Sequence, residues 1–362
     1  MNYKFDGKPS VELDHRPFYS ITVPCYNSRD KISPLLDSII NQDMKDDIEV
    51  ILVDDHSTEP YDDVIGAYKD KLCIRRVQTD YNYCPGNTRE KGASVATGIW
   101  ITNCDHDDTL IEGSLSAVKR YIKEYGEKLT VYTNYHEINK DDDNNETLIK
   151  DTTTDMLLTH GKFFNMDNLW KGYNIHYCKD LKTHEDIYVS RMVNLILDSI
   201  NKKPLYLDLF TYNFYHHNHS ITTEKYNNTV YNGVPHRFIE VNFKDYCKSG
   251  SGVQKDCYDK GIISKKLYME YTFGSLLIEY YFMMFFMDDR NDYIRDNINV
   301  CRKTLIDLKQ ITKYSNKDIL NYINRFGGDI AFKNAYNSVA QTFGKFNTCM
   351  NFKDWLDYLD ID

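Results

Sequence analysis

Through the first half of the chain, short β-branched runs alternate with helical patterns. No other feature constrains the fold as strongly, because this alternation marks a mostly parallel sheet with helices on its faces. Residues 19–23 predict a first strand, and Ile32, Leu35, Leu36, Ile39 and Ile40 then recur at helical spacing, with Ser33-Pro34 near the helix start. Residues 48–53 predict a second strand that ends in Asp54-Asp55, and residues 73–77 a third. A Pro85-Gly86 turn and a helix through Ala93 and Ala96 follow, after which residues 99–102 lead into Asp105-His106-Asp107-Asp108. Acidic or polar residues therefore stand at the carboxyl ends of successive strands, the edge of an open α/β sheet where ligands bind.

From about Val131 the pattern loses regularity. An acidic stretch at residues 141–145 fails as an EF-hand, since Glu146 stands where glycine is required and Thr152 where the closing glutamate belongs, so a solvated turn is expected. Beyond about Lys225, runs rich in Asn, Lys, Gly and Ser surround residues 248–252, and helical patterns occupy residues 265 to the end. These shifts predict an α/β domain over residues 1–225 and a helical C-terminal domain over residues 226–362 that binds acceptor or mediates assembly.

The net charge of -10 argues against a nonspecific duplex-DNA binder, which would need Lys and Arg to neutralise phosphates. The 9 cysteines are scattered without a C-x-x-C pair and the start lacks a signal peptide, so reduced thiols and a cytoplasmic location are expected. Thirty tyrosines suit either ordinary half-buried packing or surfaces that stack on sugars and bases. The most apolar stretch, residues 271–287, carries Glu279 and reads as a buried helix or a membrane-surface contact, not a transmembrane segment.

Repulsion within the Asp105–Asp108 tetrad costs stability unless a cation or ordered solvent offsets it. Mn²⁺ or Mg²⁺, sharing carboxylates with substrate phosphates, is one reading. A turn or helix cap is the other. The order Thr22-Val23-Pro24-Cys25-Tyr26-Asn27, then Val53-Asp54-Asp55, then Gly86 to Gly92 with Arg89, then Gly98 to Asp108 resembles family 2 glycosyltransferases. His160-Gly161-Lys162, His184-Glu185-Asp186 and the run from Tyr215 to Thr222 are similar to the acceptor-side half and closing loop of that family.

The resemblance implies a GT-A type (Rossmann-like) fold, a nucleoside-diphosphate-sugar donor, expected to be a UDP-sugar, and Mn²⁺ or Mg²⁺. It places Pro24 and Tyr26 beside the base, Asp55 rather than Asp54 on an imide such as uracil, and Arg89 near the donor. Asp105 and Asp107 would match the D-x-D that holds ribose and metal. His106 and Glu90 depart from the family's usual small residue and asparagine. Glu185 and Asp186 would carry acid-base chemistry, with Asp186 deprotonating the acceptor in an inverting transfer. Either residue of the helix-start pair could instead be a cap. His217 and His219 read as a surface pair, or one of them, His219, as a metal or diphosphate contact.

The same resemblance points to bacterial or bacteriophage enzymes that glycosylate cell-surface polymers. Some phage members modify hydroxymethylated DNA bases, an acceptor that the negative charge disfavours. Two rival readings have their own signatures. A dinucleotide-dependent oxidoreductase would need a G-x-G-x-x-G turn where Pro24-Cys25-Tyr26-Asn27 stands. An inactive nucleotide- or glycan-binding module would lack one of the two carboxylate sets, and both are present.

Overall fold

β1 (Tyr19–Cys25) is buried at every position but Pro24, as a strand flanked by others and covered on both faces must be. A computed structural model of the chain describes residues 7–80, 84–126, 128–141, 145–153, 158–181, 183–217, 230–231, 234–235, 243–287, 292–343, 348 and 350–360. Two compact units divide it, Met1–Glu224 and Lys225–Asp362.

In the first unit β1 pairs in parallel with β2 (Ile48–Asp54) on one side and β4 (Trp100–Asn103) on the other, and β2 pairs in parallel with β3 (Cys73–Gln78). The β1–β4 register ends at Thr22↔Asn103, so Pro24, which lacks an N–H, lies beyond that pairing. Helices α1 (Ile32–Ile40), α2 (Asp62–Gly66) and α3 (Pro85–Val95) connect these strands. Ile32, Leu35, Leu36 and Ile39 of α1 are all buried in the main core, each burial contributing roughly 1.5–3 kcal/mol. The chain runs outward from β1 through β2 to β3 and then returns to the other flank of β1 with β4. This reversal opens a crevice at the carboxyl edge between β1 and β4.

The rest of the sheet is mixed. β8 (Lys162–Asn165) lies antiparallel between β4 and β6 (Thr130–Lys140), β6 runs parallel to β9 (Leu205–His217), and the short β5 (Thr109–Leu110) closes the edge antiparallel to β9. β7 (Glu146–Thr152) adds to β6 as a hairpin. The stretch from about Val131 that lacks a regular pattern thus supplies four strands, β6 to β9. It was illegible because Tyr, His, Asn and Thr, not aliphatic residues, fill their faces. Of the acidic run at residues 141–145, Asp141 and Asn145 are described and lie between β6 and β7, where Asn145 donates to both carboxylate oxygens of Asp141 at 2.8 and 3.0 Å. Helix α4 (Ser114–Tyr125) packs on the core through Leu115, Val118 and Ile122, and α5 (Glu185–Ser199) begins at the Glu-Asp pair itself. Several tyrosines, among them Tyr19, Tyr61, Tyr132 and Tyr212, serve as fully buried packing.

In the second unit the stretch rich in glycine and serine is not a loop. Lys248–Gly252 forms a π-helical turn with Ser249, Gly250 and Ser251 buried. The helix Lys265–Met287 buries Phe273, Leu276, Tyr280 and Met283 and, among them, Glu279. Ser251 and Thr304 hydroxyls donate to Glu279 Oε1 at 2.9 and 3.2 Å, while Oε2 has no partner among the described residues. Burial pushes this carboxyl up to about 8, against the opposing pull of those hydrogen bonds. Helices Asp292–Thr312, Asn316–Phe326, Gly328–Phe343 and Phe352–Leu359 complete the unit; Ser315 and Asp318 form a capping box on the second, and Asn351 caps the last. Among the described residues, no helix is long and apolar enough to cross a membrane.

Candidate active site

The loops after β1 and β2 are sewn together. Asn27, held at φ +48°, accepts from the Thr58 N–H (2.8 Å) and hydroxyl (3.0 Å), and its own N–H donates to Ser57 Oγ at 3.0 Å. Asp54 is consumed by this scaffold: its Oδ1 accepts from the Ser57 N–H and hydroxyl at 2.9 and 2.6 Å, and Arg76 grips its other oxygen and Asp62. Asp55 differs. Thr79 donates to its Oδ1 at 2.8 Å, and its Oδ2 carries no hydrogen bond among the described residues. The Pro24 carbonyl accepts from His106 Nδ1 at 3.1 Å, which ties the loop after β1 to the loop after β4, and Tyr26 leaves its ring exposed beside them.

Arg89, on α3 and buried, is the hub of the deeper half. Its guanidinium donates to Asp105 Oδ1 at 2.7 Å and to Glu185 Oε1, 96 residues further along the chain, at 3.1 Å, joining the loop after β4 to the start of α5. Close backbone approach makes this bridge possible. A Cβ on Gly86 would lie 2.4 Å from the Cys178 carbonyl oxygen, so only glycine lets the first turn of α3 press against the segment leading to α5. Asp186 follows at the second position of α5, half-buried, its Oδ1 accepting from the Ile187 N–H at 2.7 Å. The N–H groups of this first turn favour negative charge there.

Asp108 is fully buried and accepts from the Tyr212 hydroxyl at 2.5 Å and the Tyr215 N–H at 2.8 Å; Tyr212 Oη in turn accepts from the Asp105 N–H at 3.1 Å. His160 stacks on Phe214 (4.8 Å between ring centroids) and lies against Tyr212, with Nε2 3.9 Å from Asp105 Oδ2 and a buried, unbonded Nδ1. Gly161 makes that pose reachable: it sits at φ +64°, and a Cβ there would meet Thr133 Oγ1 at 2.8 Å.

The electrostatics of the cluster are uneven. Burial resists ionisation of Asp105, yet Arg89 and His160 outweigh it and hold that carboxyl well below the ordinary range. Burial raises Asp108 well above it, and the neighbouring Asp105 and Asp107 add to the effect. Glu185 is pushed up to about 7 by burial and by Asp186, with Arg89 pulling the other way.

One ligand atom each from Asp105, Asp108 and His160 lies within 4.8 Å of the other two. Crowded carboxylates, one of them forced upward by its neighbours, and an imidazole with an unsatisfied nitrogen fit a divalent cation, and the mixed O/N set suits Mn²⁺ better than the all-oxygen preference of Mg²⁺. Asp107, expected at the metal, is not in this group; its carboxylate lies 3.9 Å from Lys31 Nζ. His219 lies outside the described residues, as does the side chain of His217. The structure therefore brings together Arg89, Asp105 and Glu185 from the sequence reading, sets Asp55, Pro24 and Tyr26 on adjoining loops, and adds Asp108, His160 and Tyr212. Of the added residues, Asp108 had a signal in the acidic tetrad and His160 one in the His-Gly step. Tyr212 had none, because its approach depends on the pairing of β9.

Residues 20–181 match the family model described as Glycosyl transferase family 2. The chain is 37% identical over 117 residues to a poly(ribitol-phosphate) beta-glucosyltransferase of Bacillus spizizenii, a match spanning 31% of this chain and 18% of that protein. It is 32% identical over 110 residues to a GalNAc(5)-diNAcBac-PP-undecaprenol beta-1,3-glucosyltransferase of Campylobacter jejuni, 30% of this chain and 35% of that one. The matched segment is thus about a fifth to a third of the length of these relatives. Among solved structures, S. aureus TarS residues 1-349 in complex with UDP-GlcNAc superimposes with a TM-score of 0.60 at 18% identity, covering 92% of this chain and 97% of that one. This likeness establishes the GT-A fold with its C-terminal helices.

Proposed function

We propose that this chain, whose residues 20–181 match glycosyl transferase family 2, moves a sugar from a UDP-sugar to a hydroxyl of a cell-surface glycan or polymer, with inversion at the anomeric carbon. The observation that carries this reading is the Arg89 bridge, which unites the carboxylates after β4 with the Glu-Asp pair of α5 in one cluster at the carboxyl edge.

Asp55 is the group suited to the nucleotide base. Its neighbour Asp54 is already saturated, whereas Asp55 has an oxygen to accept the imide N–H of uracil between Pro24 and Tyr26. Asp105, Asp108 and His160 would hold the cation, which when bound stabilises negative charge on the departing diphosphate. Arg89 keeps Asp105 ionised and aimed toward that position. Asp186 is the base: as the acceptor oxygen bonds to the anomeric carbon and the bond to UDP breaks, the hydroxyl proton passes to the Asp186 carboxylate. Glu185, tied to Arg89 and buried, orients the pair. A UDP complex of the S. aureus TarS fragment shares the fold, which is consistent with the donor chosen here.

The decisive experiment incubates the chain with Mn²⁺ and a panel of UDP-, GDP-, CDP- and dTDP-sugars and follows nucleotide release by mass spectrometry. Release from a UDP-sugar above all others is expected. Preference for another nucleotide, or calorimetry showing that UDP does not bind, would overturn the assignment of Asp55.

A further inference from the structure

The amino ends of the strands, at the opposite edge of the sheet from the transfer centre, hold a cavity of about 520 Å³. The segment before β1 helps to build it. Pro9 bridges Arg75 of β3 and the Ser10 N–H donates to the Ile74 carbonyl at 2.7 Å, after which the chain passes the start of β2 to enter β1. In the β2–β3 register Glu49 stands opposite Cys73 and Ile51 opposite Arg75, so Glu49, Cys73 and Arg75 share one face of the sheet; they line the cavity with Val11, Leu13 and Thr97. The seven residues of β1 put about 20 Å between this edge and the carboxyl edge.

Glu49 is 2% exposed, and its two oxygens are unequal. Oε1 accepts from the Ser20 hydroxyl (2.6 Å), the Thr97 N–H (2.6 Å) and hydroxyl (2.8 Å) and the Gly98 N–H (3.1 Å). Oε2 accepts no hydrogen bond among the described residues and lies 3.9 Å from the Arg75 guanidinium. Arg75 is equally unspent: its side-chain N–H groups donate to no described residue, and its Nε is buried. Opposite charges taken out of water without a hydrogen bond between them recover little of their desolvation cost. An atom about 2.8 Å from each fits the gap, provided that it donates to the carboxylate and accepts from the guanidinium.

We propose that this cavity is a second ligand site, separate from the transfer centre, and that it takes the adjacent hydroxyls of a neutral sugar or polyol. A hydroxyl both donates and accepts, so one hydroxyl or a neighbouring pair spans carboxylate and guanidinium. Charged ligands meet opposition. Glu12 and Asp14 join Glu49 in the lining against an anion, and the lining's Arg16 is already held by both oxygens of Asp167. A cation on Glu49 would instead face Arg75. Val11 and Leu13 supply apolar surface for the C–H groups of the ligand, the usual division of labour in a small-molecule pocket.

The Arg75 Nε–H resonance of the isotope-labelled full chain, assigned by its loss in Arg75→Met, reports occupancy of this site and not of the transfer centre. Titration with methyl glucoside and with ribitol should shift it. The permethylated glucoside, which keeps the ring but cannot donate, should leave it in place. Val11→Trp, at a position 41% exposed, narrows the cavity and should raise the sugar concentration needed for half the shift about tenfold, the scale of one lost charge-assisted hydrogen bond; thermal unfolding checks that the variant is folded. Tighter binding of a gluco-oligosaccharide than of methyl glucoside would assign the site to a glycan chain, and equal binding to the free sugar. A shift with inorganic phosphate but with neither sugar nor polyol, an equal shift with the permethylated glucoside, no shift at all, or an unaltered midpoint in folded Val11→Trp would overturn the proposal.

Discussion

Replacing Glu279 with Gln should change how the second unit's stability depends on pH, and the size of the change follows from its surroundings. The carboxyl is 1% exposed, and two hydroxyls donate to one oxygen while the other is unbonded. Its folded value of about 8 exceeds the 4.5 of an ordinary glutamate, so the folded state binds the proton more tightly. For a carboxyl raised in this direction, stability from the group is fully present below the unfolded value and is lost as pH rises through the window from about 4.5 to 8. At 1.36 kcal/mol per unit, the cost is about 1 kcal/mol at pH 5, about 3 kcal/mol at pH 7 and nearly 5 kcal/mol above pH 9. Glutamine keeps the carbonyl oxygen for Ser251 and Thr304 but does not titrate. Its amide places an N–H₂ where no acceptor stands, a constant penalty of about 1–3 kcal/mol that shifts the curve without tilting it. The quantity to compare is therefore the slope. Urea unfolding at pH 5 and pH 7, followed by tryptophan fluorescence, to which the buried Trp355 contributes the second unit's signal, should show the stability difference between variant and wild type moving in the variant's favour by about 2–3 kcal/mol across that interval. Parallel profiles would refute the reasoning and mean that the carboxyl finds a cation or donor that keeps it ionised.

Asp186→Asn should retain UDP affinity while kcat falls by about 10²- to 10⁴-fold, with Glu185→Gln milder; equal turnover of wild type and Asp186→Asn at saturating substrates would exclude it as the base. Asp55→Ala should weaken UDP binding by about 1–3 kcal/mol, and unchanged calorimetric affinity would remove the imide contact. Chelation with EDTA should abolish sugar release and Mn²⁺ restore it, while His160→Ala should raise the Mn²⁺ concentration needed; full activity of demetallated protein would sink the metal assignment.

The parallel half of the sheet was legible because its determinants are local. β1 and β2 are nearly continuous apolar runs since both faces are covered, and α1 carries one apolar stripe, so length and periodicity suffice to read them. The resemblance to family 2 glycosyltransferases singled out Asp55, Arg89, Asp105 and the Glu185-Asp186 pair, and all of these but Arg89, which lies inside α3, stand at an element's end. β6, β7 and β9 resisted because their Tyr, His, Asn and Thr side chains acquire an inside and an outside only when neighbouring strands are in place. Tertiary structure alone decided which member of each acidic pair is committed to the scaffold: Asp54 is locked by Arg76 and Ser57, a fact invisible in Asp54-Asp55 as letters. It also decided the partners of the buried cluster. Tyr212 reaches Asp108 across 104 residues, and only the β5–β9 and β6–β9 registers bring it there. Local sequence can propose a carboxylate for chemistry. What that carboxylate touches, and hence whether it is ionised, depends on desolvation and on charges that long-range strand pairing places beside it.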